Sequence, residues 1–406
     1  MADEWREALI GEAFEVNPSR LLKRGSIAPF VPMEVLPQHA RAIERIDTRE
    51  YTGSGMRFRN GDTLIARITP CLENGKTAFV SGLRDGEVAH GSTEYIVLSG
   101  KDGETDSLFG YYLARTPGFR RYAIGHMEGT SGRQRVPSSA IEQYSIALPC
   151  FEEQRAIANI LGTLDDKIEL NRRMNQTLEA MACALFKSWF VDFDGVPAED
   201  IQESEVGLIP KDWRVGSVYD IADVRYGAPF ASLQFNTAGD GLPLVRIRDL
   251  RDERPGVWTP EIHPKGYVIQ PGDIIVGMDG EFRAYLWGGK PAWMNQRVCA
   301  FHPKKPHCAA FVREAIAPHL AHIEATQVAT TVIHLGKGDI DRFRVVIPPD
   351  DVARKFEAIC QPIYSKIVAG KQQSQTLAHL RDTLLPRLIS GDLRIPDAEK
   401  MAAGAA

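Results

Sequence analysis

Residues 157–189 read IANILGTLDDKIELNRRMNQTLEAMACALFKSW, and their spacing decides how the rest of the chain is interpreted. Alternating steps of four and three residues connect ten positions: Ile157, Leu161, Leu164, Ile168, Asn171, Asn175, Leu178, Ala182, Leu185 and Trp189. This alternation is the 3.5-residue period of a coiled-coil seam. The pattern therefore predicts a long helix that packs one face along a second helix.

The second helix is written 199 positions later in the chain. QTLEA at Gln176 reappears as QTLAH at Gln375, and the same offset carries the first seam onto a second set of ten positions: Phe356, Cys360, Ile363, Ile367, Gly370, Ser374, Leu377, Arg381, Leu384 and Leu388. Both seams become polar or small at their middle, so the two middles meet if the helices run antiparallel. Pro362 and Gly370 are expected to weaken the second helix and to allow a kink. Two separate amphipathic helices, each covering its own domain, remain the alternative.

Shorter matches extend the repeat upstream with drifting offsets. EWREALIGEAFEV resembles DWRVGSVYDIADV, and RNGDTLIAR resembles QPGDIIVGM, which indicates one fold written twice with loops of different length. We predict two similar α/β domains of mixed sheet and helices, related by an internal pseudo-twofold repeat and separated by two antiparallel helices. The predicted segments are domain 1 (1–149), a long helix (150–191), a linker (192–212), domain 2 (213–349), a second long helix (350–392) and a frayed tail (393–406).

Composition excludes several classes of protein. The 406 residues are 44% hydrophobic and 25% charged, as in ordinary globular chains, and a net charge of -5 argues against non-specific coating of nucleic acid. No run of about 20 apolar residues is present, and the acidic start MADEWREALI lacks the regions of a signal peptide. We therefore expect a cytoplasmic protein without membrane contact.

Motifs for catalysis, cofactors and metals are missing from the sequence. It has no GxxxxGK[ST] phosphate loop, and GTSG around Thr130 lacks the strand and helix of a nucleophile elbow. The six cysteines show no CxxC or His/Cys spacing for zinc, and His302 and His307 lie in a Pro/Lys-rich segment where surface positions are expected. We expect no catalytic residue, no metal and no bound cofactor.

Several stretches in order resemble one known family. VPSSAIEQYSIALPCFEEQRAIANILGTLDDKIELNRRMNQTLEAM, HGSTEYIVL, VGLIPKDWRV and MNQRVCAF are similar to the specificity subunit of type I restriction-modification systems. The resemblance runs from Trp5 to about Ile395. It implies a non-catalytic subunit that reads a bipartite double-stranded DNA site with one target recognition domain per half-site. It also implies two DNA adenine-N6 methyltransferase subunits and ATP-dependent restriction subunits as partners, which would hold S-adenosylmethionine and ATP.

Loops that follow strands carry the candidate DNA contacts, because their Arg, Lys, Asn, Gln and small polar residues are the types that contact base edges and phosphates. The first domain offers Arg67, Thr69, Asn74, Lys76, Arg133, Gln134 and Arg135. The second offers Arg225, Tyr226, Asp279, Arg283, Tyr285, Lys290, Asn295, Gln296, Arg297, His334 and Lys337. The alternative for each is a solvated surface charge or a polar residue at a strand end.

Apolar residues of the first helix that lie outside the seam indicate a surface for partner proteins. Ile160, Met174, Met181 and Phe186 are expected to be poorly covered by a lone antiparallel pair, and exposed apolar patches mark interfaces. Two other classes stay open on the residues alone. One is a coiled-coil interaction scaffold that does not read DNA, and the other is an enzyme whose site forms between the two halves.

Overall fold

The computed structural model describes residues 5–130, 132–326 and 333–404. The chain divides into two compact units: unit 1 is Met1–Leu170 with Thr376–Ala406, and unit 2 is Asn171–Gln375. Two helices of 40 residues each, Phe151–Phe190 and Asp350–Ile389, contribute one half to each unit. None of the helices in these described ranges is both long enough and apolar enough to cross a membrane.

In its described residues, unit 1 begins with ten strands and four short helices before the first long helix. In chain order these are β1 (Arg6–Leu9), α1 (Ile10–Ala13), β2 (Phe14–Val16), β3 (Ile27–Val31), β4 (Asp47–Glu50), β5 (Arg57–Phe58), β6 (Thr63–Ala66), β7 (Thr77–Phe79), β8 (Ala89–Gly91), β9 (Tyr95–Gly100), α2 (Ser107–Ala114), α3 (Pro117–Gly125), α4 (Ser138–Glu142), β10 (Ser145–Leu148) and α5 (Phe151–Phe190). One four-stranded sheet has the order β2-β9-β6-β7 and is antiparallel. The other has the order β4-β3-β8-β5, with β3 and β8 parallel, and β1 pairs with β10.

The sheet β2-β9-β6-β7 is buried on both faces. Ile65 and Ile96 enter a core shared with α2 and the long helices, whereas Leu64 and Val97 enter the core between the two sheets. Successive residues of a strand point to opposite faces, so β6, whose four residues are all buried, is covered on both sides. A ligand can therefore reach this sheet only at its strand ends and at the loops that leave them.

Unit 2 repeats this plan with its own loops. Its elements are β11 (Ile201–Ser204), β12 (Gly207–Pro210), β13 (Arg214–Ser217), α6 (Val218–Ile221), β14 (Ala222–Tyr226), β15 (Leu242–Val245), β16 (Trp258–Thr259), β17 (Val268–Ile269), β18 (Ile274–Gly277), β19 (Ala284–Leu286), β20 (Ala292–Met294), β21 (Val298–Pro303), α7 (Ala309–Thr326), α8 (Lys337–Ile340), β22 (Arg344–Ile347) and α9 (Asp350–Ile389). The sheets have the orders β14-β21-β18-β19 and β16-β15-β20-β17, with β15 and β20 parallel. The predicted duplication of one mixed-sheet α/β fold is confirmed.

The long helices run antiparallel within unit 1. Trp5 donates from Nε1 to Glu153 near the start of α5 (3.0 Å), and its ring lies 3.4 Å from where a Cβ on Gly391, beyond the end of α9, would stand. Further along α5, Asp165 forms a buried ion pair with Arg381 of α9. The expected seam residues of both helices enter one core here: Ile157, Leu161, Leu164, Leu377, Leu384 and Leu388. The coiled-coil prediction is therefore confirmed over the alternative of separate helices.

The polar middle of the seam lies in unit 2. The Asn171 amide donates to Gln373 Oε1 (2.9 Å) and Ser374 Oγ (3.3 Å). A Cβ on Gly370 would stand 2.8 Å from Asn175 Oδ1, so glycine permits the close approach of the two helices. α9 continues through Pro362 and Gly370 without a break. Pro362 is exposed, so water can hydrate the carbonyl that its missing N–H leaves unbonded.

The structure differs from the expectations about three segments. The frayed tail is instead a helix, α10 (Ile395–Ala403), whose Ala398 is fully buried in the unit 1 core. The expected linker contains the hairpin of β11 and β12. Ile160 is buried, and the Phe186 ring packs on Phe311 at 5.6 Å between centroids, because each unit's own domain covers that side of α5. Met181 remains exposed and Met174 is half-buried.

The Asp165–Arg381 pair predicts a large stability effect in unit 1. Arg381 and Asp165 are both buried, and Tyr112 donates a second hydrogen bond to Asp165 (2.7 Å). Replacing Arg381 by Met leaves the carboxylate uncompensated and should reduce the free energy of unfolding of this unit by about 3–5 kcal/mol. Urea titration followed by hydrogen exchange of the α5 amides in unit 1 measures it.

A matched control compares the loss of this buried ion pair with the loss of an exposed one. Lys355→Ala removes the exposed pair with Asp351 on α9 and should leave the transition unchanged. The double variant Asp165→Leu, Arg381→Met should recover most of the loss. An Arg381→Met protein as stable as the original would contradict the assignment of this pair as a buried contact between the helices.

Candidate nucleic-acid interface

Strand order brings the unit 1 candidates to one end of the sheet β2-β9-β6-β7. Arg67 follows β6, Lys76 precedes β7 and Glu94 precedes β9, and these strands are antiparallel neighbours. The Arg67 amide donates to the Glu94 carbonyl (3.0 Å), and the Ala66 amide donates to the Lys76 carbonyl (3.1 Å). These backbone bonds extend the ladder by one residue and fix where the side chains emerge.

The loop before α4 closes over the same end of the sheet. The Val136 amide donates to the Arg67 carbonyl (2.9 Å), and the Thr69 amide donates to the Gln134 carbonyl (3.0 Å). Arg135 forms a β-bridge with Ile68. Two sequence-distant candidate loops, around residues 67–76 and 133–135, therefore form one surface, which we call the strand-end surface of unit 1.

Two cations of this surface are held by other protein groups. Lys76 Nζ donates to the carbonyls of Met33 (2.9 Å) and Glu34 (3.3 Å), so much of its hydrogen-bonding capacity is used within the fold. Arg135 donates from Nε to both carboxylate oxygens of Glu94 (2.9 Å each) and from Nη2 to Oε1 (2.7 Å). Glu94 was not among the candidates from the sequence, because those candidates were mostly hydrogen-bond donors in loops. Glu94 is an acceptor that precedes a strand, and it orients Arg135.

Other donors of the unit 1 strand-end surface have no partner inside the described parts of the chain. Arg67 Nε and Thr69 Oγ1 are buried and make no hydrogen bond there. The side chains of Asn74 and Arg133 are exposed. Since a buried donor without a partner costs free energy, a ligand that accepts from Arg67 and Thr69 would be favoured at this place.

Unit 2 forms the same surface on matching backbone hydrogen bonds. The Met278 amide after β18 donates to the Arg297 carbonyl before β21 (2.9 Å), and the Leu335 amide donates to the Met278 carbonyl (2.8 Å). Arg283 precedes β19 and therefore lies at this end as well. The strand-end surface of unit 2 thus repeats that of unit 1 with different side chains.

Three charged or titratable side chains meet at the centre of the unit 2 surface. His334 Nδ1 lies 2.7 Å from Asp279 Oδ1 and 3.2 Å from Arg297 Nη1, and Arg297 Nε lies 3.5 Å from Asp279 Oδ2. One ring nitrogen cannot donate to Asp279 and accept from Arg297 at once, so Asp279 and Arg297 compete for His334 Nδ1. Arg283 pairs with Glu281 on the exposed rim.

The segment before Arg297 is fixed by close backbone packing. The Asn295 amide donates to the Val245 carbonyl (3.0 Å), and a Cβ on Gly227 would stand 2.0 Å from the Asn295 carbonyl oxygen. Only glycine therefore fits at position 227. Gln296 is exposed beside Arg297, while Asn295 is half-buried.

The remaining unit 2 candidates lie at several places in the fold. Lys290 follows β19 and lies at its opposite end, and its carbonyl accepts from Trp287 Nε1 (3.1 Å). Arg225 and Tyr226 lie within β14, and burial raises the pKa of Tyr226. Tyr285 lies within β19, where burial also raises its pKa. Lys337 is exposed at the start of α8, three residues after His334.

The expectation of surface positions for two histidines is wrong. His302 is half-buried, contacts the Tyr267 hydroxyl and lies 3.6 Å from Asp273, and burial together with Arg225 lowers its pKa. His307 is buried and stacks on Phe311 with 4.8 Å between ring centroids. Both are packed within the unit 2 fold. In residues 5–130, 132–326 and 333–404, no three His, Cys, Asp or Glu side chains gather as a metal site.

One protein-family model matches the chain twice. The type I restriction modification DNA specificity domain matches residues 10–180 and again residues 210–376. The two matches cover most of the chain, and each contains one strand-end surface. The repeat recognised in the sequence is therefore a repeat of this domain.

Individual relatives agree with the family model. The chain is 28% identical over 325 residues to the type I restriction enzyme MjaIX specificity subunit of Methanocaldococcus jannaschii, covering 73% of this chain and 71% of that protein. It is 22% identical to the HindI specificity subunit of Haemophilus influenzae, covering 96% and 100% respectively. The crystal structure of a type I restriction-modification S subunit from M. genitalium shares its fold, with a TM-score of 0.50, 16% identity and coverage of 95% and 96%.

These matches confirm the expectation of a chain without catalytic activity of its own, because the catalytic roles of such systems belong to other subunits. They also confirm two DNA target recognition domains on one chain. The chain belongs to the family of type I restriction-modification specificity subunits.

Proposed function

We propose that this chain reads a bipartite double-stranded DNA site, with residues 1–149 recognising one half-site and residues 213–349 recognising the other. The observation that carries the proposal is the pair of strand-end surfaces, which stand on matching backbone hydrogen bonds and differ in their side chains. One scaffold with two different sets of donors and acceptors suits two different short sequences. It suits a symmetric ligand poorly.

The chemistry of these surfaces fits base edges and phosphates. Arg, Asn and Gln form paired hydrogen bonds with guanine or adenine, and Thr, Lys and backbone amides contact phosphates. In unit 1 the contacts are assigned to Arg67, Thr69, Asn74, Arg133, Gln134 and Arg135. In unit 2 they are assigned to Asp279, Arg283, Asn295, Gln296, Arg297, His334 and Lys337. Lys76, Arg225, Tyr226, Tyr285 and Lys290 are assigned supporting or peripheral roles.

The chain also serves as a scaffold in this proposal. Two adenine-N6 methyltransferase subunits and the ATP-dependent restriction subunits assemble on it, and S-adenosylmethionine and ATP bind to those partners. Exposed apolar side chains on the long helices supply docking positions: Leu170 and Met181 on α5, and Ile359 on α9. The helices at 150–191 and 350–392 set the separation between the half-sites.

Exchange of one domain tests the assignment of half-sites. Replacing residues 1–149 by the matching domain of a family relative should change one half of the methylated sequence and leave the other half unchanged, because the two strand-end surfaces belong to different units. Genome-wide mapping of N6-methyladenine in cells that contain the methyltransferase partners gives both halves.

Two outcomes would count against the proposal. A change in both halves together would show that the domains do not read independently. A folded complex that neither binds nor methylates DNA would favour a scaffold that joins two protein-binding modules.

Lengthening the helix pair tests its role as a spacer. Four helix-forming residues inserted after Asn175 in α5, with four more after Ala369 opposite them in α9, extend the pair by about 6 Å. Duplex DNA rises about 3.4 Å per base pair, so the unread spacer should grow by about one or two pairs while both half-sites stay the same. An active variant with an unchanged spacer, or with altered half-sites, would contradict the spacer role.

A further inference from the structure

The two strand-end surfaces hold charges at equivalent backbone positions. In unit 1 the Arg67 amide meets the Glu94 carbonyl and the Val136 amide meets the Arg67 carbonyl, and in unit 2 Met278, Arg297 and Leu335 make the corresponding bonds. Residue for residue, Glu94 therefore corresponds to Arg297. Arg135 corresponds to His334, and the bridges Ile68–Arg135 and Asp279–His334 make Ile68 correspond to Asp279.

The charges at these positions are permuted between the units. Unit 1 has an acid before its central strand and an arginine in the late loop, whereas unit 2 has an arginine before the strand, a histidine in the late loop and an acid after β18. An ion pair that only held the late loop against the strand would work with the acid and the base at either position. The arginine stands in the late loop of unit 1 but before the strand in unit 2, so the cation occupies different places on two otherwise equivalent surfaces.

The hydrogen bonds of Arg135 leave a specific edge of its guanidinium open. Its five N–H groups are one on Nε and two on each terminal nitrogen. Nε and one Nη2 hydrogen go to Glu94, and one Nη1 hydrogen goes to the Arg133 carbonyl (3.2 Å). One hydrogen on each of Nη1 and Nη2 has no acceptor within the described ranges, and the side chain is 42% exposed.

Nη1 and Nη2, which carry these two hydrogens, form the end of the guanidinium that pairs with guanine O6 and N7. Glu94, of which 24% is exposed, acts as a fixed carboxylate behind the arginine. Such a support reduces the side-chain entropy that a flexible arginine loses on binding. Arg297 is held more loosely, since its Nε lies 3.5 Å from Asp279 and it shares that carboxylate with His334.

We propose that Arg135 and Arg297 are the specificity-determining cations of their domains, each reading a guanine in its own half-site, and that Glu94 and Asp279 are the positioning residues that hold them. The proposal rests on the proposed reading of DNA by both domains. The carboxylate fixes the position from which the arginine contacts a base. Exchanging the positions of acid and arginine would therefore change which base is contacted while the sheet stays the same.

The test uses the complex with its methyltransferase subunits and two readouts, the methylated motif in cells and methylation of duplexes carrying each base at each position. Arg135→Lys keeps the charge but loses the paired donors, and should reduce discrimination at one position of one half-site by roughly 5- to 150-fold. Glu94→Gln should relax the same position. Arg297→Lys should relax one position in the other half-site only.

A charge-reversed pair separates reading from a purely structural latch. The double variant Glu94→Arg, Arg135→Glu retains an opposite pair, and unit 2 already accepts arginine at the position of Glu94. Thermal stability should return toward that of the original protein while the base preference at that position changes. Restoration of both the stability and the original motif would overturn the proposal, because the ion pair would then have only a structural role.

The control is Arg84→Lys, an exposed arginine in the loop after β7 at the other end of the same sheet. It should leave both halves of the motif unchanged. If the original complex methylates a bipartite site and neither Arg135→Lys nor Arg297→Lys changes it, this inference fails and the proposed function stands. If the original complex methylates no bipartite site, the proposed function itself fails.

Discussion

Each unit depends on the antiparallel seam between α5 and α9. In unit 1 the seam leucines share a core with the central sheet, and in unit 2 Phe356, Cys360 and Ile367 do the same. Buried polar contacts fix the register of the seam: Asp165 with Arg381 in unit 1, and Asn171 with Ser374 in unit 2. A polar residue buried in a helix interface disfavours shifted pairings, because any shift leaves it without its partner.

The seam also explains why the candidate site lies at strand ends. The helices cover one face of the central sheet and the second sheet covers the other, so neither face is available to a ligand. Only the ends of the strands and their loops can carry variable polar residues without loss of the core. Two copies of one fold can therefore keep the same buried residues and still bear different donors.

The sequence was sufficient for the helices and the duplication, because each leaves a periodic or repeated pattern. The sequence did not predict the environment of side chains whose partners come from distant parts of the chain. Lys76 looked like a free cation, yet it donates to the Met33 carbonyl from a distant loop. His302 looked exposed, yet the fold places it beside Asp273. Glu94 carries no sign of its role in the sequence, since only the folded loop brings Arg135 against it.

Hydrogen exchange of the methyltransferase complex, measured with and without its DNA site, tests most directly whether the strand-end surfaces bind DNA. We predict that DNA slows exchange around residues 67–69 and 133–136 in unit 1 and around residues 278–279 and 295–297 in unit 2. The loops at the opposite strand ends, near Arg84 and Lys290, should not change. Protection of those opposite loops instead, or protection in one unit only, would contradict the account.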